Sequence, residues 1–336
     1  MPKIRDVARA AKVSPSTVSL VLNNLPGASD EMRKRVNETV RALGYALPNG
    51  SSQKHCTVAL ICAAHMHADG ARTRLCRALA AGVRSSVVKV GGHLTILAAN
   101  GRCADDHFFT QSVEAGEVNG VILLGIDPSD GYLDFVLRED VPSVAVNRES
   151  DDKAFSSLSI DGYGGGRQAV DHLVALGHKR IAYCGNSQLR HIAVRQQGIK
   201  DAMESHGLRP VYAGSLQVRQ SDKEFREGCV QVLESGATAA ILCDWAGARC
   251  LDILTSLDAQ VPRQLSLIDF DDMELHTASG LRVSSVGYDK DWMGRAAGRM
   301  LVQLMGEQRN VRQFSMTVRT HIVEHDTTAV ATNDFK

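Results

Sequence analysis

Apolar residues recur at helical spacing from the first turns of the chain. Val7, Ala8 and Ala11 form one stripe, Val18, Val21 and Leu22 a second, and Met32, Val36, Val40 and Leu43 a third. The stripes predict three amphipathic helices, the first two too short to persist alone in water, and the third closing their core. Lys12-Val13-Ser14 separates the first two. Val13 reads as an apolar plug, Ser14 as an N-cap, and Pro15 as a first helical residue, where a missing N–H costs nothing. Ser29 is placed to cap the third helix.

From Thr57 the pattern changes. Short apolar runs at 57–62, 93–99, 120–125, 143–146, 180–185, 239–243 and 265–270 alternate with helical stretches at about 71–90, 105–117, 163–176, 191–206, 222–235 and 245–257. That alternation predicts parallel α/β structure. The stretch 45–54, YALPNGSSQK, is polar and contains Pro, Gly and Ser, which is linker composition. The expected organisation is a small all-α helix-turn-helix domain at 1–46, a linker at 47–56 and an α/β domain at 57–336.

Composition sharpens this division. The 336 residues carry no net formal charge, yet residues 1–54 hold nine Lys/Arg against four Asp/Glu, about +5, which leaves about −5 for the rest. Positive charge gathered on the small helical domain is what a phosphate backbone attracts. Ser16, Thr17, Ser19 and Leu20 fall off the apolar stripe of the second helix, and small hydroxyl side chains near a helix N-terminus permit close docking on DNA. The pattern alone also admits an ordinary helical hairpin. No apolar run approaches the roughly 18 residues of a membrane span, and no signal-peptide core follows Met1-Pro2-Lys3, so a cytoplasmic location and no membrane partner are expected. The eight cysteines are scattered without a CxxC pair and read as reduced core thiols.

The stretch Ile4 to Asn23, IRDVARAAKVSPSTVSLVLN, followed by Leu43-Gly44-Tyr45, resembles the DNA-binding headpiece of the LacI-GalR repressor family. The resemblance continues through GGGRQAVDHLVALGHKRIAYC (164–184), Arg195-Gln-Gln-Gly198, Val261-Pro262, Phe270-Asp271-Asp272 and Val323-Glu324-His325-Asp326-Thr327-Thr328. It implies that Pro15, Ser16 and Leu20 read bases, while Ser14, Thr17, Asn23 and Ser29 touch phosphates. It also implies an effector domain like type I periplasmic sugar-binding proteins, with two Rossmann-like lobes of parallel sheet joined by crossovers near 160, 287 and 314. The first lobe would take 57–160 and 288–313, the second 161–287 and 314–330. The implied partners are a double-stranded operator, a second copy of the chain and a small-molecule effector in the interlobe cleft, a sugar or sugar derivative. Arg195, Asp271 and Asn147 match effector-contacting positions, with Arg195 and Asp271 expected on opposite sides of the second lobe.

Several features depart from the family pattern. Lys3 stands where a capping Thr is usual, and Lys12 where Gly is frequent in the turn. Asp244-Trp245 replaces Asn-Asp, exchanging an amide for a charge and adding a ring that could stack on a ligand or fill the cleft. Asp269 replaces a Gly, and Ala63-Ala64-His65-Met66-His67-Ala68-Asp69 replaces an Asn-Pro-aromatic turn. The interval 50–56, GSSQKHC, has poor helix propensity and no apolar wedge, so no functional hinge helix is expected. Residues 329–336 carry no leucine heptad, which points to a dimer.

Catalytic and cofactor signatures are weak. Gly162-Tyr163-Gly164-Gly165-Gly166 fails the GxGxxG spacing and reads as close helix packing. His65 with His67, and His321 with His325, lack partners at ligand spacing, and there is no GxSxG. No metal, no cofactor and no enzyme activity are expected. The rival readings are a ligand-independent DNA-binding regulator with a filled cleft and an enzyme on an α/β scaffold.

Overall fold

The computed structural model describes residues 4–22, 29–43, 56–63, 70–99, 101–126, 130–147, 155–187, 190–217, 220–244, 246–273, 277–306 and 313–332. The chain divides into two compact units, Met1–Cys56 and Thr57–Lys336.

The first unit contains α1 (Ile4–Ala11), α2 (Pro15–Leu22) and α3 (Asp30–Leu43). Val7, Ala8 and Ala11 from α1 meet Val18 and Val21 from α2 and Val36 from α3 in one core, with Ile4, Val13 and Val40 packed at its margin. Burying these side chains together is what holds helices of eight residues, since neither α1 nor α2 is long enough to be stable by itself. Met32 and Leu43, placed by periodicity on the inner stripe of α3, are instead exposed at 39% and 40%. They flank Val36 and Val40 at the ends of the contact, where a helix of 14 residues outruns its short partners.

The second unit holds two six-stranded sheets. The first sheet is built from β1 (Thr57–Ala63), β2 (His93–Ala99), β3 (Gly120–Leu124), β4 (Ser143–Val146), β5 (Ser156–Ile160) and β11 (Ser315–Val318), in the order β11-β5-β4-β3-β1-β2. It is accompanied by α4 (Gly70–Val87), α5 (His107–Glu114), α6 (Tyr132–Arg138) and α11 (Lys290–Gly306). The second sheet comprises β6 (Ile181–Cys184), β7 (Tyr212–Gly214), β8 (Ala239–Leu242), β9 (Ser266–Phe270), β10 (Ser284–Gly287) and β12 (His321–Val323), in the order β12-β10-β9-β8-β6-β7. Its helices are α7 (Gly162–Ala175), α8 (Arg190–Ser205), α9 (Asp222–Glu234) and α10 (Gly247–Ser256). Strand pairing is parallel throughout except where β12 runs antiparallel to β10.

Strands β3, β4, β6, β8 and β9 are buried along their whole length, which explains why they read as unbroken apolar runs. The chain passes between sheets after β5, after β10 and between β11 and β12. The last passage therefore falls at 319–320 rather than near 314, and residues 315–318 belong to the first lobe. Ser315 to Val318 pairs with Ser157 to Ile160, and the Ser157 and Ser159 hydroxyls lie 3.4 Å from those of Ser315 and Thr317. A four-residue edge strand, mostly exposed and half hydroxylic, carries no apolar signature to reveal it.

In each sheet the chain reverses its direction of growth, between β1 and β3 in the first and between β6 and β8 in the second. Loops at the carboxyl ends of parallel strands diverge at such points and leave a crevice for ligands. Because β5 leads straight into α7 and β10 straight into α11, the carboxyl edges of both sheets meet at the crossovers.

Candidate functional site

Two sites come from these elements, one in each unit. In the small unit, Ser14 N-caps α2: its Oγ accepts from the Thr17 N–H at 3.0 Å and lies 2.8 Å from the Thr17 hydroxyl, while its carbonyl accepts from Val18 N–H. Pro15 follows as the first helical residue. Ser29 repeats the device on α3, accepting from the Met32 N–H at 3.4 Å. The turn itself is closed by Lys12 N–H to Arg9 O and Val13 N–H to Ala8 O. Lys12 adopts φ +52°, the left-handed backbone that an L side chain disfavours and glycine does not.

Ser14, Pro15 and Ser29 are exposed and Thr17 is half-buried. The register of α2 sets positions 16 and 20 on the side away from buried Val18 and Val21. The side chains of Ser16 and Leu20, and the whole of Asn23, lie outside the described residues.

The second site forms at the carboxyl edge of the second sheet. It depends on close approach of α7 and α8. A Cβ on Gly198 would sit 2.1 Å from Tyr163 O, one on Gly166 2.3 Å from Arg195 O, and one on Gly165 2.7 Å from a Val286 methyl carbon. The glycine stretch is thus a packing surface, capped by Asp161, whose carboxylate accepts from Gly164 N–H at 2.7 Å. With α8 drawn in, Arg195 is carried beneath the ends of β8 and β9.

Arg195 is 1% exposed, and its guanidinium is nearly saturated. Nη2 donates to Asp271 Oδ1 at 2.8 Å, and Nη1 to Asp271 Oδ2 at 3.1 Å and to Cys243 O at 2.9 Å. Its carbon lies 4.4 Å above the centre of the Phe270 ring. Burial works against this charge, but Asp271 and then Asp244 outweigh it and raise the guanidinium pKa. Arg195 and Asp271 therefore do not stand on opposite sides of the lobe; they form one buried pair.

Asp271 is held for the purpose. It takes φ +79° at the end of β9, with its N–H bonded to Val286 O, and Asp272 follows at φ +41° with its N–H bonded to Ser285 Oγ. Asp272 is answered by Lys290 Nζ at 3.9 Å and His325 Nε2 at 3.6 Å. Asn147 has φ +59° at the corresponding end of β4, in the other sheet from the Arg195 cluster, with its N–H bonded to Leu158 O. Asp244 is half-buried beside the cluster; Trp245 and the segment containing His65 and His67 lie outside the described residues.

Two groups near Arg195 have no local signature in the sequence. Tyr288, directly after β10, is buried with no partner for its hydroxyl among the described residues, and burial with the charge of Asp271 pushes its pKa far up. His191, one turn before Arg195 on α8, reaches solvent, yet the surrounding protein and the Arg195 charge lower its pKa to about 4. Arg195 Nε is also without a partner among the described residues. A buried donor and a buried hydroxyl left open beside a charged pair are what a polar ligand would complete.

Asp269 makes its hydrogen bonds away from the Arg195–Asp271 pair, although the charges of Asp271 and Asp272 reach it. Strand alternation turns it to the opposite face of the sheet from Phe270, where it bonds Ser285 and accepts from the Gly247 N–H at the start of α10. Burial holds its pKa well above the usual carboxylate value. Its exchange for glycine is thus a helix-capping change. Among the described residues there is no cluster of His, Cys, Asp and Glu suited to a metal, and no helix long and apolar enough to cross a membrane.

Two family profiles match the chain: the bacterial regulatory proteins of the lacI family over residues 3–49, and the periplasmic binding protein-like domain over 170–328. The chain carries a lacI-family regulatory domain at 3–49 followed by a periplasmic binding protein-like domain. Among relatives of this family, the HTH-type transcriptional regulator CelR of Thermobifida fusca is 27% identical over 96% of this chain and 97% of its own. Catabolite control protein A of Staphylococcus xylosus is 25% identical over 91% and 93%. Solved structures with the same fold include a CelR–cellobiose complex, with TM-score 0.68 and 23% identity over 97% of this chain and all of that one. A lac repressor dimer bound to operator and an anti-inducer matches with TM-score 0.67 and 20% identity over 98% and 99%.

Proposed function

We propose that the protein is a homodimeric transcription regulator of the lacI family that represses by binding a pseudo-palindromic operator and is tuned by a small molecule held between its effector lobes. The observation that carries this reading is the helix-turn-helix itself, with α2 capped by Ser14 and the turn closed at the left-handed Lys12. Ser14, Thr17, Asn23 and Ser29 would contact phosphates, and Pro15, Ser16 and Leu20 base edges. Relatives of full-length similarity carry names of transcriptional regulators and repressors, and CelR has been solved with cellobiose. No residue in this reading performs catalysis, and the site of action is the chromosome in the cytoplasm.

The effector half rests on the Arg195 Nε and Tyr288 hydroxyl, unpartnered among the described residues, beside the Arg195–Asp271 pair, with Asp244 and Asn147 as further candidates and Trp245 a candidate by sequence position alone. One observation favours a ligand-independent regulator instead: Arg195 is already satisfied by Asp271 and Cys243. The linker 47–56 supports a loosely coupled headpiece with little operator bending. Selection of the full-length protein against a random duplex library tests the reading. A symmetric motif with two half-sites is expected, and recovery of no symmetric motif would overturn it.

A further inference from the structure

Two pairs of cysteines approach each other among the described residues, one in each lobe. In the first lobe the Sγ atoms of Cys62 and Cys76 lie 2.8 Å apart, although 14 positions separate the residues in the chain. In the second, Cys229 on α9 and Cys250 on α10 stand 3.8 Å apart. A disulfide joins its sulfurs at about 2.0 Å, so the first pair has about 0.8 Å to close and the second about 1.8 Å. Cys62 is the penultimate residue of β1, and Cys76 lies two turns into α4. Closing that gap asks only for a small turn of two side chains, whereas joining Cys229 to Cys250 would draw two helices together across a filled core. Cys62 is wholly buried, and Cys76, 4% exposed, is the more open of the two. The pair is also polarised. With Cys62 donating its S–H, the Cys76 thiolate is favoured and its pKa falls, while the same bond and burial push the Cys62 thiol up. One sulfur is thus readied as a nucleophile and the other keeps its proton.

We infer that Cys62 and Cys76 form a reversible redox site, at which hydrogen peroxide oxidises the two thiols to a disulfide that fastens the end of β1 to α4. The site is independent of the operator and effector readings given above. Its chemistry balances in two steps. The Cys76 sulfur attacks one oxygen of the peroxide, the O–O bond breaks, hydroxide leaves and takes up the Cys76 proton, and Cys76 becomes a sulfenic acid. The Cys62 sulfur then attacks that of Cys76; the S–S bond forms, the S–O bond breaks, and the hydroxyl leaves as water with the Cys62 proton. Two thiols lose two electrons and two protons, and the peroxide is reduced to two molecules of water. Local opening about Cys76 admits an oxidant scarcely larger than water. No CxxC spacing announces the site, because its members come from a strand and the helix that follows it. Once formed, the bond closes residues 62–76 into a loop in the unfolded chain, so the oxidised lobe resists heat better than the reduced one.

Peptide mapping of the full-length protein tests this, in a Cys56→Ser background because Cys56 shares the tryptic peptide 55–72 with Cys62. The reduced protein is exposed to a small excess of hydrogen peroxide at neutral pH, its free thiols are alkylated in denaturant, and it is digested without reduction. The expected product is peptide 55–72 linked to peptide 75–77, with the other cysteines alkylated and the link undone by dithiothreitol. Oxidation should raise the melting temperature by several degrees, a shift that Cys76→Ser abolishes. In Cys62→Ser, which lacks the resolving thiol, dimedone should capture Cys76 as its sulfenic acid. Peroxide treatment that leaves both thiols open to alkylation, or that joins Cys229 to Cys250 first, would overturn the inference. So would a link between Cys62 and Cys76 that forms only in urea-unfolded protein.

Discussion

Arg195 and Asp271 meet through both terminal guanidinium nitrogens and both carboxylate oxygens, the shortest contact 2.8 Å, and neither side chain is more than 5% exposed. The pair is buried at the carboxyl edge of the second sheet, so it contributes to the stability of that lobe. Removing one member leaves a buried charge alone. Arg195→Ala should therefore cost about 3–5 kcal/mol of stability, and so should Asp271→Ala. The double change Arg195→Met with Asp271→Leu should cost much less than the sum, because it removes both charges and refills the space. Urea unfolding of the three variants measures this. Additive losses would mean that the pair is not coupled.

His178 ties together the entrances of three strands. Its ring nitrogens lie 3.0 Å from the Thr238 hydroxyl, 3.1 Å from that of Ser266 and 3.0 Å from Ala329 O. Burial lowers its pKa below the ordinary histidine value, so the neutral ring is the form that folds. A lowered pKa means that the unfolded chain binds more protons, and stability is lost as pH falls from about 6.5 toward the lower folded value. His178→Gln should flatten that slope in melting temperature between neutral and mildly acid pH. A slope identical to wild type would assign the acid sensitivity elsewhere.

Asp269 should behave in the opposite sense. Its raised pKa means that its contribution is present at low pH and lost as pH rises through the folded value. Asp269→Asn keeps an acceptor for Gly247 N–H and a partner for Ser285 without the charge. It should raise stability at neutral pH by about 1–2 kcal/mol and do little at acid pH. Calorimetric melting at several pH values decides, and destabilisation at neutral pH would contradict the assignment.

Lys12 stores strain in the headpiece turn at φ +52°. Lys12→Gly should stabilise the small unit by about 0.5–1 kcal/mol, the relief of the left-handed backbone less the freedom glycine gains when unfolded. Amide hydrogen exchange of α1 and α2 in the full-length protein should slow severalfold. Faster exchange would show that the side chain contributes more than its backbone costs.

What could be read from the sequence followed the strength of local pattern. The caps at Ser14 and Ser29 and the core of Val7, Val18 and Val36 are set by neighbours three or four residues away, and residue order alone revealed them. The same holds for fully buried strands such as β3 and β9. Strand β11, exposed and hydroxylic, escaped because its identity comes from pairing with β5 across some 158 residues. The cleft escaped in part for the same reason. Arg195 and Asp271 each matched a ligand position, but that they bond to one another, and that Tyr288 lies open beside them, follows from folding 76 and 93 residues of chain between them.

The central claim, that the free face of α2 reads DNA, is tested most directly by titrating the full-length protein and its Leu20→Ala and Asn23→Ala variants against a selected duplex and its single-base substitutions. For wild type, log affinity should fall linearly with log salt, about 0.9 per phosphate neutralised. Leu20→Ala should lose discrimination at one or two base positions within each half-site, each worth about 1–3 kcal/mol. Asn23→Ala should weaken all duplexes alike. Unchanged base preference in Leu20→Ala, together with salt-independent binding, would contradict the account.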